Sequence, residues 1–126
     1  MKIIHIITDL DTGGAEIMLY KLLSSLHNEA LNSTVISLMG RGKITERIEA
    51  LGVKVETLDL GQGERPSWQT IKKLRQFMRA FNPDIVQGWM YHGNIAATVA
   101  VFLFDPMRRK VKLFWNVRQT LYDINS

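Results

Sequence analysis

The sequence predicts an α/β fold on a doubly wound parallel sheet, and three observations carry that reading. Short apolar runs alternate strictly with helical patterns along the 126 residues. The first run, Ile3-Ile4-His5-Ile6-Ile7, is apolar at all but one position rather than at every second one, which is how a strand covered on both faces reads. The connections between them are short and punctuated by glycine, asparagine and proline. Apolar strands separated by helices bury both faces only in a parallel sheet with a helical layer on each side. Right-handed crossovers then wind it in two directions.

The elements follow in order. Ile3-Ile4-His5-Ile6-Ile7 forms the core of a first strand over about 2–8. Thr8-Asp9-Leu10-Asp11-Thr12-Gly13-Gly14-Ala15-Glu16 leads into a helix over about 14–27, carried by Ile17, Leu19, Tyr20, Leu22, Leu23 and Leu26. Strands are expected over about 33–39 and 53–58, with a short helix over 44–51 between them, set off by Gly40-Arg41-Gly42 and Gly52. The helix over 67–81 is the clearest. Ile71, Leu74, Met78 and Phe81 make one apolar stripe, with Lys72, Arg75 and Arg79 on the polar side. Ser67, after Pro66, is placed to cap its start, and Asn82-Pro83 closes it. A fourth strand over 84–89, a helix over 91–104 and a fifth strand over 111–117 complete the pattern. Ile95 to Phe104 is interrupted only by Thr98 and reads as a buried helix, about half the length a membrane span requires. With no repeat, low-complexity segment or linker, residues 1–126 read as a single domain.

Composition narrows the functional classes. Hydrophobic residues at 46% and charged residues at 22% suit a soluble or peripheral globular chain. The absence of cysteine excludes disulfides and thiolate metal sites and fits a cytoplasmic location. Asp9 and Asp11 interrupt the apolar start before a signal-peptide core could form. Charge is uneven: residues 1–60 carry a net −2 and residues 61–126 a net +6. The excess lies in Lys72, Lys73, Arg75 and Arg79 and in Arg108, Arg109, Lys110 and Lys112. Solvated helix faces are one reading, and peripheral contact with an anionic membrane is the functional rival. Nucleic acid is not expected, because the cations are not interleaved with stacking aromatics.

In doubly wound sheets ligands sit beyond the carboxyl ends of the strands, where the strand order reverses. The segments to watch are therefore Thr8 to Gly14, Gly40 to Lys43, Asp59 to Arg65, Gly88 to Asn94 and Val117 to Thr120. Gly13 and Gly14 let a ligand approach bare backbone, and the N–H groups of the helix starting near Ala15 would point into the same space. A tight turn with no ligand is the alternative. His92, Asn94 and Arg118 would add imidazole, amide and guanidinium groups, a set suited to an anionic or hydroxyl-rich ligand. Equally, His92 could be a structural cap and Arg118 the partner of Asp123. His5 reads as a buried, hydrogen-bonded histidine, and His27 as one interacting with a helix dipole. Metal-ligand spacing, a Gly-x-Ser-x-Gly elbow, a P-loop and the Gly-x-Gly-x-x-Gly fingerprint are all absent, so neither metal nor cofactor is expected.

Three segments in order resemble one family. The Gly13-Gly14-Ala15-Glu16 turn, Trp89-Met90-Tyr91-His92-Gly93-Asn94 and Trp115-Asn116-Val117-Arg118 resemble retaining GT-B glycosyltransferases of group 1, family 4. The resemblance spans residues 3–120 and implies a Rossmann-like three-layer α/β/α domain, one half of a GT-B fold. It implies a nucleotide-sugar donor held by the other half, and a saccharide or lipid-linked acceptor on this one. Gly13 and Gly14 would lie against the donor diphosphate, His92 would reach the reacting sugar and Arg118 would line the acceptor or phosphate side. The donor domain with its Glu-x7-Glu segment has no counterpart here, so the chain is expected to be the acceptor-side part of a longer enzyme, inactive alone. The basic helix face with Trp68 is compatible with a lipid-linked or envelope acceptor at the inner face of a membrane. Two other readings compete: a response-regulator receiver domain using Asp9, Asp11 and Asp59, and a non-catalytic doubly wound binding module. Against the receiver, Trp89 ends strand four and Arg118 stands where a lysine belongs.

Overall fold

A computed structural model describes residues 2–10, 14–26, 32–60, 67–105 and 110–115. Five strands alternate with four helices: β1 (Ile3–Ile7), α1 (Ala15–Ser25), β2 (Ser33–Ser37), α2 (Thr45–Ala50), β3 (Lys54–Thr57), α3 (Trp68–Phe81), β4 (Ile85–Trp89), α4 (Met90–Phe104) and β5 (Lys112–Trp115). The strands form one parallel sheet in the order β3-β2-β1-β4-β5. Every expected element is present, and the ends that fall within the described residues move by at most two positions.

β1 is the middle strand, and its alternation divides the core. Ile4 and Ile6 face a layer made by α3 and α4, where Leu74, Met78, Ala97, Ala100 and Val101 are buried. Ile7 faces the opposite layer with Leu19 and Leu23 of α1, Ile48 of α2, and Val35, Val55 and Trp89 of the neighbouring strands. The result is the three-layer α/β/α arrangement that a strand buried on both faces requires.

Local chemistry fixes the helix ends. Ser67 and Thr70 form a reciprocal capping box at the start of α3: the Thr70 amide donates to Ser67 Oγ at 3.2 Å and the Ser67 amide donates to Thr70 Oγ1 at 3.4 Å. Asn82 closes α3 in the left-handed conformation, φ 55°, its amide donating to the Met78 carbonyl. His27 lies outside the described residues.

One expectation needs correction. The run Ile95 to Phe104 is buried only on one side. Ile95, Val99 and Phe102 form an exposed stripe opposite Ala97, Ala100 and Val101, and Phe102 is 67% exposed. A fully apolar run cannot reveal which of its faces is covered, since that depends on which elements pack beside it. Phe114 and Trp115 of the edge strand β5 are exposed as well. Among the described residues, no helix is long and apolar enough to cross a membrane.

His5 is buried as expected, and its partner is Trp89 on the adjacent strand. The Trp89 indole donates to His5 Nδ1 at 3.0 Å. Nδ1 must therefore be unprotonated, which places the proton of the neutral ring on Nε2, an atom with no partner among the described residues. Burial pushes the imidazole down to about 4. The sign follows directly. Above pH 6.5 the histidine is neutral in folded and unfolded chains and contributes nothing to the pH dependence of stability. As pH falls toward 4 the unfolded chain takes up the proton and the folded one does not, so the fold loses stability. Urea melts are expected to show a loss of about 3 kcal/mol from this group between pH 6.5 and about pH 4. His5→Asn keeps an acceptor for Trp89 and should remove that slope; an unchanged slope would show that the group is not responsible.

Candidate functional site at the switch in strand order

β1 and β4 are neighbours, with Ile7 level with Trp89, but the chain leaves them toward opposite layers. α1 follows β1 onto one face and α4 follows β4 onto the other. The crevice between these two departures is where a doubly wound sheet accepts ligands.

The wall on the β1 side is laced to the rest of the rim by backbone. The Leu38 and Met39 amides donate to the Ile7 and Thr8 carbonyls, the Ile44 amide to the Leu10 carbonyl, and the Asp59 amide to the Met39 carbonyl. Gly14 caps α1 at φ −99°, ψ −21°, with no side-chain cap. A Cβ placed on Gly14 would meet no described residue within 4 Å. Neither its dihedral angles nor its described neighbours therefore call for glycine, and no described residue fills the space above it. Ala15 is half-buried as the first residue of α1, so the unpaired amides of the first turn lie at this rim. Gly13, Asp11 and Thr12 lie outside the described residues.

Opposite reasoning applies to the glycines of the β4 side. A Cβ on Gly88 would fall 2.6 Å from Asn94 Cα and 2.9 Å from the Gly93 carbonyl oxygen. One on Gly93 would fall 2.7 Å from the Ile6 carbonyl oxygen. The first turn of α4 thus rests directly on the ends of β1 and β4. The sharp turn this needs is taken up at Met90, which has φ 66°. A non-glycine residue there is strained by roughly 1–3 kcal/mol, and such strain gathers at functional rims. Asp59, φ 54°, is a second such residue on the same sheet edge.

The expected site residues divide accordingly. Gly14 and Ala15 stand on one side of the crevice and exposed His92 follows the other strand. Asn94 is half-buried with its amide over Gly88, a position that seats the helix against the sheet. Arg118 lies outside the described residues. Glu16 received no role from its sequence alone, yet it is only 2% exposed, and its Oε2 has no partner among the described residues. The signal was present: Glu16 stands in helical register with Leu19 and Leu23, both core residues. Thr8 Oγ1 is likewise buried without a partner among the described residues. Polar atoms left in this state cost roughly 1–3 kcal/mol each unless a donor reaches them.

The sheet order removes the receiver reading. Receivers have the order 2-1-3-4-5, with the third strand beside the first. Here β2 separates β3 from β1, so Asp59 is not beside Asp9, and Asp59 is exposed at an edge strand.

Two alanine substitutions separate packing from openness. Gly88→Ala is expected to destabilise the fold by roughly 1–3 kcal/mol, since the backbone of α4 must move. Gly14→Ala should change it by less than about 1 kcal/mol. Thermal melts of the two variants would check this, and equal losses would show that Gly14 is also held by packing.

The chain finds no match among curated proteins. A family model does match it, over residues 12–121, and that match includes the Gly13-Gly14 turn, the β4–α4 segment and Arg118. On this match the chain belongs to Glycosyltransferase Family 4.

Proposed function

We propose that the chain is the acceptor-side half of a retaining GT-B glycosyltransferase that moves a sugar from a nucleotide-sugar donor to a saccharide or lipid-linked acceptor. The observation that supports this most is the open space over Gly14 at the start of α1, across the β1–β4 crevice from the α4 turn that carries His92. Sugar transfer breaks the bond from the anomeric carbon to the diphosphate, so negative charge grows on the leaving group. Unpaired amides and the positive end of a helix dipole stabilise such charge when they are aimed in advance. A bare-backbone approach at Gly14 lets the phosphate oxygens come within reach, and Gly13 and the Ala15 amide would extend the same cradle. His92 would hydrogen-bond the reacting sugar. Asn94 holds the turn that presents His92, and Arg118 would supply a guanidinium on the acceptor or phosphate side.

This half supplies one wall of a cleft, and the donor base and ribose need the other. With sugar nucleotides and sugar acceptors, the 126-residue chain alone is expected to show no turnover; robust transfer would contradict its assignment as a half-enzyme. Amide resonances of residues 14–16 and 90–94 are expected to shift weakly on titration with a nucleoside diphosphate sugar. Gly14→Val should abolish those shifts while leaving the thermal melt nearly unchanged. Shifts confined to other parts of the chain would overturn the placement of the phosphate cradle.

A further inference from the structure

We infer that the outer surface of the α3–α4 layer is a docking surface for an anionic lipid bilayer. The inference stands apart from the transferase reading, since it uses neither the crevice nor its residues.

Charge is segregated by layer. α3 and α4 contain no Asp or Glu, and α3 carries Lys72, Lys73, Arg75 and Arg79. The opposite layer holds Glu16, Glu46 and Glu49 against Lys21 and Arg47. Among the described helices, the positive charge is therefore concentrated on one side of the sheet.

Geometry then sets the cations beside an apolar strip. Trp68, Lys72, Arg75 and Arg79 follow one another at helical spacing and all are exposed, Trp68 at 74%. Phe77, Ala80 and Phe81 turn the other flank of α3 toward β2 and β3, where they line a shallow groove with Lys54 and Glu56. The Trp68–Arg79 stripe accordingly lies on the outer side, toward α4. Lys73 sits on the groove flank, its Nζ 5.9 Å from the Phe77 ring centre. On α4 the exposed stripe is Ile95, Val99 and Phe102, in a helix with no charged residue. Trp115 carries the apolar surface on to the β5 edge, its indole donating to Thr98 Oγ1 at 2.9 Å.

An uncharged helix exposing Phe, Ile and Val is unfavourable in water and marks a contact surface. At a bilayer the two stripes are satisfied together. Phe102, Ile95 and Val99 enter the boundary between headgroups and acyl chains, Trp68 sits at headgroup level, and the basic side chains reach the lipid phosphates. A polyanion such as RNA would neutralise the cations but leave the α4 stripe in water. A second copy related by a two-fold axis would set the basic stripes against each other. The anionic bilayer matches both features.

Flotation of the intact chain with phosphatidylcholine vesicles and with an equimolar phosphatidylcholine–phosphatidylglycerol mixture tests the inference. Binding is expected for the anionic vesicles only, and it should weaken as salt is raised. The combined change Lys72→Gln, Arg75→Gln and Arg79→Gln should weaken it about a hundredfold. Phe102→Ser should weaken it by roughly tenfold or more, and circular dichroism melts should confirm that both variants fold. Equal binding by the charge-neutralised variant would overturn the inference. So would equal binding to neutral vesicles, a Phe102-dependent dimer in light scattering without flotation, or binding of RNA without flotation.

Discussion

The close seating of α4 on the sheet is the constraint on which the crevice depends. Gly88 and Gly93 have no side chains, so the first turn of α4 meets the backbone ends of β1 and β4 directly. This contact forces the reversal at Met90, and it presents His92 outward while drawing Asn94 in over Gly88. A larger residue at either glycine would lift the helix and change the distance between the walls. The crevice is thus a product of two missing methyl groups as much as of the polar residues around it.

Beneath that turn, the Trp89–His5 hydrogen bond joins the two strands on either side of the switch. Its setting is expensive, since burial leaves His5 Nε2 without a described partner and pushes the imidazole's protonation down. The indole ends a strand and the imidazole lies mid-strand, so together they brace the floor of the crevice. With Glu16 and Thr8, three residues with unpartnered buried polar atoms among those described lie on β1 or on the turn and helix start that follow it. An apolar core would be more stable here, and their presence agrees with a region shaped by ligand binding rather than by stability alone.

Much of the architecture was legible because each element carried its own local signal. The apolar runs of β1 and β4, the Ser67 cap and the Asn82-Pro83 stop specify strands and a helix without reference to anything distant. What stayed hidden depended on tertiary neighbours. The exposed side of α4 is apolar, so periodicity could not tell it from the buried side. The pairing of His5 with Trp89 spans most of the chain, and no local pattern encodes it. Strand order, which separates this fold from a receiver, is likewise a long-range property. At the rim, Gly14 stood out in the sequence, but its surroundings were not readable there. Only coordinates distinguish a glycine beneath open space from Gly88 and Gly93, which are locked by backbone contact.

The uneven distribution of charge between the two helical layers has a physical consequence of its own. With cations and no carboxylates on α3 and α4, and glutamates outnumbering basic residues on α1 and α2, the side chains of the described helices contribute a dipole component perpendicular to the sheet. Near any negatively charged body such a dipole exerts a torque at separations up to about a Debye length, roughly 8 Å at physiological salt. The molecule would therefore rotate before it touches, and arrive with the mouth of its crevice turned sideways rather than pressed against the surface.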